Sequence, residues 1–174
     1  MQRKRFTAFE CPIARTLDQI GDGWSLLILR NALLGATRFQ DFEQQLGIAP
    51  NTLARRLELL TDQGLFTRRA YATRPLREHY ELTEKGLDLA PVLLAISAWG
   101  NRWLAPDGAP LECVNPESGE LIRPIVVDES TLRPLRAGSV ALRAGPGASQ
   151  ELRGALPGQV LLGQAQLTPS WCAS

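Results

Sequence analysis

One stretch of the sequence decides the fold: A-P-N-T-L-A-R-R-L-E-L-L-T-D-Q-G, residues 49–64. Its leucines recur at the spacing that places side chains on one face of an α-helix. These are Leu53, Leu57 and Leu60. Pro50 suits the first helical position, where a missing N–H costs nothing, and Gly64 suits a left-handed helix end. The stretch predicts a helix with one buried face and one face that is available for binding.

A shorter helix is predicted directly upstream. Residues 38–47, R-F-Q-D-F-E-Q-Q-L-G, have apolar residues at helical spacing and end in a glycine. Only Ile48 and Ala49 separate them from Pro50. Two helices joined by so short a turn are typical of a helix-turn-helix, in which the second helix enters the major groove of DNA. Helical hairpins that do not bind DNA share this pattern.

Two more helices are predicted before this pair. The first begins at Pro12, with Cys11 as its N-cap, and stops at Gly21. The second opens at Trp24, is apolar on nearly every side and ends at Gly35, so we expect it at the centre of the domain.

A β-hairpin is predicted after the second helix of the pair. Residues 65–71 and 77–82 are short runs typical of strands, and Arg74 lies at the tip between them. A hairpin in this place is a wing. Arg74 or Arg77 on a wing can reach a minor groove or a phosphate, whereas the alternative is a solvated loop.

A long helix is predicted to follow, capped by Thr83 and open to a kink at Pro91. It carries an aliphatic and aromatic stripe that a small winged domain does not need for its own core. A second copy of the chain is the simplest partner for such a stripe. The alternative is packing on the same domain or on the C-terminal segment.

The composition changes near residue 105. Residues 106–174 contain eight glycines and eight prolines, with short alternating runs and a turn at Asn115-Pro116-Glu117-Ser118-Gly119. We expect a small β-rich appendage to about Ala144, followed by a flexible tail that starts at Gly145. The predicted domains are therefore 1–104 and 105–174.

Composition bounds the function. The chain has 174 residues, is 44% hydrophobic and carries a net charge of +1. It has neither a membrane-length apolar run nor an apolar stretch behind its basic N-terminus, so we expect a cytoplasmic protein without a membrane partner. All but two of its 19 basic residues are arginines, and seven of them lie in residues 38–80. Arginine suits phosphates and guanine edges, although a general preference for arginine would also raise its number.

Three scattered cysteines, Cys11, Cys113 and Cys172, do not suggest a disulfide framework. Cys11 is predicted at the start of the first helix, where the helix dipole and Arg15 favour a thiolate and Glu10 opposes it. It is either a reactive thiol or a partly buried apolar residue.

In its matching motifs, the segment 11–103 resembles the HxlR family of winged helix-turn-helix regulators. Over this segment the sequence is similar to the family at Cys11-Pro12, Leu17-Asp18, Ile20-Gly21, Trp24, Gly35, Arg38-Phe39, Phe42, Gly47-Ile48, Leu53, Arg56-Leu57, Gly64-Leu65, Arg68, Tyr71, Pro75, Tyr80, Leu82-Thr83, Gly86 and Trp99-Gly100. The resemblance implies homodimers formed by the first and last helices, binding to a pseudo-palindromic operator, and in some members sensing through a cysteine where Cys11 stands.

Two departures from the family matter. Ala49 replaces the usual Ser or Thr before the recognition helix, which removes a capping side chain worth about 1 kcal/mol. Of the several cysteines that the appendage of longer relatives carries, only Cys113 remains, so four zinc ligands cannot be assembled and we predict no metal and no cofactor.

The fold class is thus predicted to be mainly α with a small β-wing, plus a small C-terminal β-rich appendage. The predicted function is a homodimeric, DNA-binding transcriptional regulator, expected to be a repressor, with modulation through Cys11 or a small-molecule effector. The predicted DNA-binding residues are Arg38, Asn51, Thr52, Arg55, Arg56, Arg74 and Arg77, with Arg56 alternatively bracing the helix from within. The predicted dimer-interface residues are Leu17, Leu89, Val92, Leu93, Ile96, Trp99 and Trp103.

Two other classes of function compete with this prediction. An enzyme is disfavoured because His79 is the only histidine and no nucleophile–base set is apparent. A winged-helix module that binds protein and not DNA remains the alternative.

Overall fold

The computed structural model describes residues 6, 9–73 and 76–163, with the backbone alone at residues 71–73, 76 and 77. In chain order its elements are α1 (Pro12–Ile20), α2 (Gly23–Leu33), α3 (Phe39–Leu46), α4 (Pro50–Asp62), β1 (Phe66–Thr73), β2 (Leu76–Leu82), α5 (Glu84–Leu87), α6 (Ala90–Trp103), β3 (Cys113–Val114), β4 (Leu121–Ile122), β5 (Ala141–Leu142), α7 (Gln150–Ala155) and β6 (Val160–Leu161). The chain divides into two compact units. One spans 19–112, and the other combines the residues up to Asp18 with those from Cys113.

The first unit is a winged helix-turn-helix built around one apolar core. The leucine face predicted for α4 is fully buried there, and Phe42 of α3 packs edge-on against Phe66 at the start of β1. The core residues are Ile20, Ile28, Leu29, Ala36, Phe42, Ile48, Leu53, Leu57, Leu60, Leu65 and Phe66. The sequence prediction of this fold is confirmed.

The α2 helix begins at Gly23, one residue before the predicted start, because the Asp22 side chain caps it by accepting the Ser25 N–H at 3.0 Å. Its buried face includes two polar residues, Ser25 and Asn31, and Asn31 donates to Gln45 of α3. Trp24 and Leu27 each remain more than a third exposed. As expected of a helix at the centre of the domain, α2 contributes Ile28 and Leu29 to the core, but the side that carries Trp24 and Leu27 lacks a covering element within this unit.

The wing is an antiparallel pair of strands with a third segment beside it. Both strands extend further toward the tip than the sequence predicted, and the register shifts between Ala70 and Ala72. Arg38 forms an isolated bridge with His79 of β2, and the Tyr80 N–H donates to the Thr37 carbonyl at 2.7 Å. The connection between α2 and α3 is thereby hydrogen-bonded to the wing.

The long helix predicted after Thr83 is two helices. Thr83 caps α5 as predicted, by accepting the Gly86 N–H at 3.2 Å, but α5 ends at Leu87. Pro91 lies in the first turn of α6, where it has no N–H to donate to the carbonyl of Leu87. The helical hydrogen bonds stop before Pro91, and α6 begins as a separate helix at Ala90. The structure therefore has a break between two helices where the sequence predicted only a kink.

The second unit contains short strand pairs and one short helix. β3 pairs with β4 across the predicted turn, and β5 pairs with β6. The expectation of a flexible tail from Gly145 is wrong as far as residue 163, because α7 is capped by Ser149 and β6 is hydrogen-bonded to β5.

A contact within this unit ties the start of the chain to α7. The Ser149 N–H donates to a carboxylate oxygen of Glu10 at 3.0 Å. Hydrogen bonds from the side chain and backbone of Ser149 hold the pKa of Glu10 below its usual 4.5. A lowered pKa means that the ionised Glu10 carboxylate favours the folded state. This stabilisation is fully present above the unfolded-state pKa and is lost as the pH falls through the folded-state pKa.

Candidate nucleic-acid interface

The turn between α3 and α4 sets the direction of the recognition helix. Gly47 adopts a φ of 60°, and its N–H donates to the Glu43 carbonyl at 2.9 Å, which ends α3 in a left-handed residue. Ile48 is buried in the core immediately afterwards. Ala49 occupies the capping position of α4 without a side-chain acceptor, as the sequence predicted. The orientation of α4 therefore depends on packing and on contacts made by its own side chains.

The face of α4 opposite the buried leucines carries the polar residues predicted to read DNA. Asn51 and Arg55 are exposed and Thr52 is half-buried, all within the first two turns. Within the part of the chain that the structure describes, no acidic side chain pairs with Arg55. Arg55 thus keeps its guanidinium available for an external acceptor.

Arg56 differs from its neighbour. Its Nε lies 3.2 Å from the carboxylate of Asp22, and the two side chains are only 18% and 16% exposed. The same carboxylate caps α2 through Ser25. Arg56 is therefore engaged inside the domain, which agrees with the second of its two predicted roles. The sequence did not predict Asp22 as the partner of Arg56. An Asp directly before a helix is a recognisable signal for a cap, but it does not indicate a distant arginine.

The other predicted DNA-binding arginines lie around the wing. Arg38 is exposed at the start of α3, and its backbone N–H donates to the Asp41 carboxylate at 3.0 Å. Arg74 lies outside the described residues, and for Arg77 only the backbone is described, paired with Ala72.

Two further wing arginines are paired with acids of the facing strand. Arg69 lies 3.1 Å from the carboxylate of Glu81, and Arg68 lies 3.9 Å from that of Glu78. These pairs reduce the positive charge that β1 presents. The charge of the wing is therefore expected to come mainly from residues nearer its tip.

The stripe on α6 is divided between two surfaces. Leu89 and Leu93 pack against the core of the same unit, so part of the predicted interface faces inward. No residue of α6 is buried. The predicted interface residues that remain at least 45% exposed are Leu17 of α1 and Val92, Ile96, Trp99 and Trp103 of α6.

Cys11 stands directly before α1 and is half-buried. Its carbonyl accepts the Arg15 N–H at 3.1 Å, as expected for a residue at a helix start. The Arg15 guanidinium does not bond the thiol; its Nε donates to the Phe9 carbonyl at 2.7 Å. Cys113 is also a free, half-buried thiol, and Cys172 lies outside the described residues.

Residues 19–108 match the family model described as HxlR-like helix-turn-helix. The chain belongs to the HxlR-like family. It is a transcriptional regulator of that family, whose members are not enzymes. In the described part of the chain, no helix has both the length and the apolarity to cross a membrane.

Known HxlR-like relatives match well beyond the winged domain. An uncharacterized HTH-type transcriptional regulator of Mycobacterium tuberculosis is 36% identical over 141 residues, which cover 80% of this chain and 89% of the relative. The solved structure of PA1607, described as a candidate transcription factor, is 40% identical with a TM-score of 0.69, and covers 80% of this chain and 96% of that one. Pseudomonas aeruginosa PA1374, with a similar description, is 44% identical with a TM-score of 0.62 over 83% and 99% of the two chains.

A shorter relative is similar to the winged domain. The redox regulator HypR in its reduced form is 32% identical with a TM-score of 0.50, and covers 54% of this chain and 96% of its own. HypR thus matches about half of this chain, whereas PA1607 matches four-fifths of it.

Proposed function

We propose that the protein is a homodimeric repressor that binds a pseudo-palindromic double-stranded DNA operator through α4 and the wing. The observation that carries the proposal is the division of α4 into a buried leucine face and an outward polar face with Arg55, which forms no ion pair with the described residues. An outward recognition helix of this kind places its first turns in the major groove, where base edges are distinguishable.

The outward residues take different roles in this proposal. Asn51, Thr52 and Arg55 contact base edges, since amide, hydroxyl and guanidinium groups match the donors and acceptors displayed in the major groove. Arg38 contacts a phosphate from the start of α3. Arg74 and Arg77 are assigned to phosphates or the minor groove on the sequence alone.

The proposed dimer is supported by the exposed side of α6. Val92, Ile96, Trp99 and Trp103 are between 45% and 62% exposed, and large aromatic surfaces of this kind are usually covered in the functional assembly. A second copy covers such a stripe with the same stripe, as a two-fold axis requires. Two recognition helices then read half-sites separated by about 34–36 Å, one turn of DNA.

Selection of bound duplexes from a random pool tests the function directly. The expected result is one motif repeated with two-fold symmetry at that spacing, bound with a steep dependence on salt. Binding that is flat and near zero at two salt concentrations would favour the protein-interaction module instead.

Replacing Arg55 by alanine is expected to relax base specificity at one position of each half-site by about 1–3 kcal/mol, because a bidentate base contact is lost. Fluorescence polarisation against the selected duplex and its single-base variants measures this. Arg74→Ala is the control, since loss of a phosphate contact weakens all sequences alike and lowers the salt slope. Equal losses on operator and random DNA for Arg55→Ala would contradict the base-reading role.

The regulatory part of the proposal assigns sensing to Cys11 or to a small-molecule effector. It is supported by the position of Cys11 directly before α1, a helix with exposed apolar residues, and by the similarity to a redox regulator. A mild oxidant or a quinone is expected to shift operator affinity in the wild type and not in Cys11→Ser. An equal shift in both proteins would remove Cys11 and leave an effector site to be sought.

A further inference from the structure

The ion pair between Arg56 and Asp22 joins the recognition helix to the start of α2. The Nε–Oδ1 distance is 3.2 Å, and more than four-fifths of each side chain is buried. The Arg56 Nε atom is shielded from water and is not aligned for a hydrogen bond, so the contact is electrostatic. A charge pair this protected from solvent is screened less by salt than a surface pair.

Asp22 is itself fixed in place. One carboxylate oxygen accepts the Ser25 N–H and the other accepts the Ser25 hydroxyl, and Ser25 is fully buried. The carboxylate that faces Arg56 is therefore part of a rigid helix cap. Because Arg56 belongs to α4, its ion pair with this fixed carboxylate restrains α4 relative to the start of α2.

The recognition helix offers few other polar constraints near its DNA-facing end. Ala49 supplies no side-chain cap at that end. At the other end of α4, the Thr61 hydroxyl donates to the Leu57 carbonyl of the same helix. In the described ranges of the chain, Arg56 is the only residue of α4 in an ion pair. The buried leucines hold α4 against the core through apolar packing, which has little directional preference, whereas the Arg56–Asp22 pair adds a directed contact.

We propose that Arg56 is a positioning residue that sets the rotation of α4 through Asp22, and that it does not neutralise a DNA phosphate. This inference rests on the proposed DNA-binding role of α4. Its consequence is that an acidic residue outside the recognition helix controls how Asn51, Thr52 and Arg55 meet the bases. A displacement of about 1 Å is enough to misalign bidentate hydrogen bonds of this kind.

The test compares Arg56→Met, Asp22→Asn and the double variant on the duplex selected from a random pool by the wild-type protein. Asn removes the charge and keeps one oxygen to accept the Ser25 N–H, while its amide NH2 can donate to the Ser25 hydroxyl oxygen in place of the second carboxylate oxygen. Each single variant is expected to lower operator affinity about tenfold, and the double variant no further than either one. The salt slope stays that of the wild type, because no phosphate contact is lost.

The matched control is Arg55→Met, the neighbouring arginine on the outward face. The Arg55→Met protein is expected to lose further affinity when Asp22→Asn is added, because Asn51 and Thr52 are then still misaligned, whereas the Arg56→Met protein is expected to lose none. Circular dichroism under the binding conditions verifies that each variant is folded. If Arg56→Met does not fold, Arg56→Lys replaces it, and is expected to keep operator affinity within threefold of wild type while Asp22 is present and to lose it with Asn at position 22.

Two results would overturn the inference. One is an Asp22→Asn variant with unchanged operator affinity beside an Arg56→Met variant with a lower salt slope, or an Arg56→Lys variant whose affinity does not depend on Asp22; either would make Arg56 a phosphate contact. The other is a multiplicative double variant. Failure of the proposed function looks different, because wild type and all variants would then bind selected and random DNA equally without salt dependence.

Discussion

Replacing Ile96 by glutamate is expected to convert the protein into monomers and to lower its operator affinity by at least a hundredfold. Ile96 is 49% exposed near the middle of α6, with exposed Val92 one turn before it and exposed Trp99 one turn after it on the same side. A carboxylate placed inside an apolar interface loses hydration without gaining a partner. A monomer then binds one half-site and loses the avidity of linked sites, which is typically 10²–10⁴.

Sedimentation velocity and fluorescence polarisation on the same samples measure both parts of this prediction. Ser97→Glu is the control, because at 100° per residue position 97 is turned away from the line of Val92, Ile96, Trp99 and Trp103. It adds the same charge to the same helix and is expected to stay dimeric. A dimeric Ile96→Glu protein with wild-type affinity would contradict the proposed interface.

The helix-turn-helix could be predicted from sequence because its signals are local. The leucine spacing of α4, the glycine after α3 and the early Pro50 each act within a few residues of where they occur. For the same reason the outward set of Asn51 and Arg55 follows once the buried face is known.

The partners of individual side chains could not be predicted in this way. Asp22 and Arg56 are far apart in sequence, and their pairing depends on how α2 packs against α4. The division of the α6 stripe has the same kind of origin, since Leu89 and Leu93 face the core through tertiary packing that their sequence spacing does not reveal. Periodicity identifies an apolar stripe, but it does not state which surface covers it.

The appendage was harder to predict than the winged domain. Its strands are two residues long, too short for an alternating pattern to be recognised. α7 lies among glycines and prolines that indicate loops, and its main local signal is the capping serine, Ser149. The pairing of β5 with β6 is a tertiary contact that spans this helix.

Replacing Gly86 by alanine is expected to destabilise the winged unit by about 3 kcal/mol, the upper part of the usual range for overpacking. A Cβ at Gly86 would lie far inside van der Waals contact with the Leu65 carbonyl oxygen and 2.9 Å from a Leu82 methyl carbon. The carbonyl cannot move away freely, because it accepts the Thr83 N–H at 3.1 Å. Urea unfolding followed by circular dichroism measures the change, which corresponds to roughly 6–12 °C in Tm for a chain of this size.

Gly100→Ala is the matched control for this substitution. Gly100 lies inside α6 and a Cβ there meets nothing within 4 Å, so alanine is expected to stabilise the helix by about 0.5–1 kcal/mol. The two substitutions add the same methyl group to a helix and differ in the space that surrounds it. Opposite signs are therefore expected, and equal stability of the two variants would mean that α5 can move away from the carbonyl of Leu65 without loss. Such freedom is difficult to reconcile with Thr83, whose hydroxyl also donates to the Gly64 carbonyl at 2.6 Å and holds the end of α4 to the start of α5.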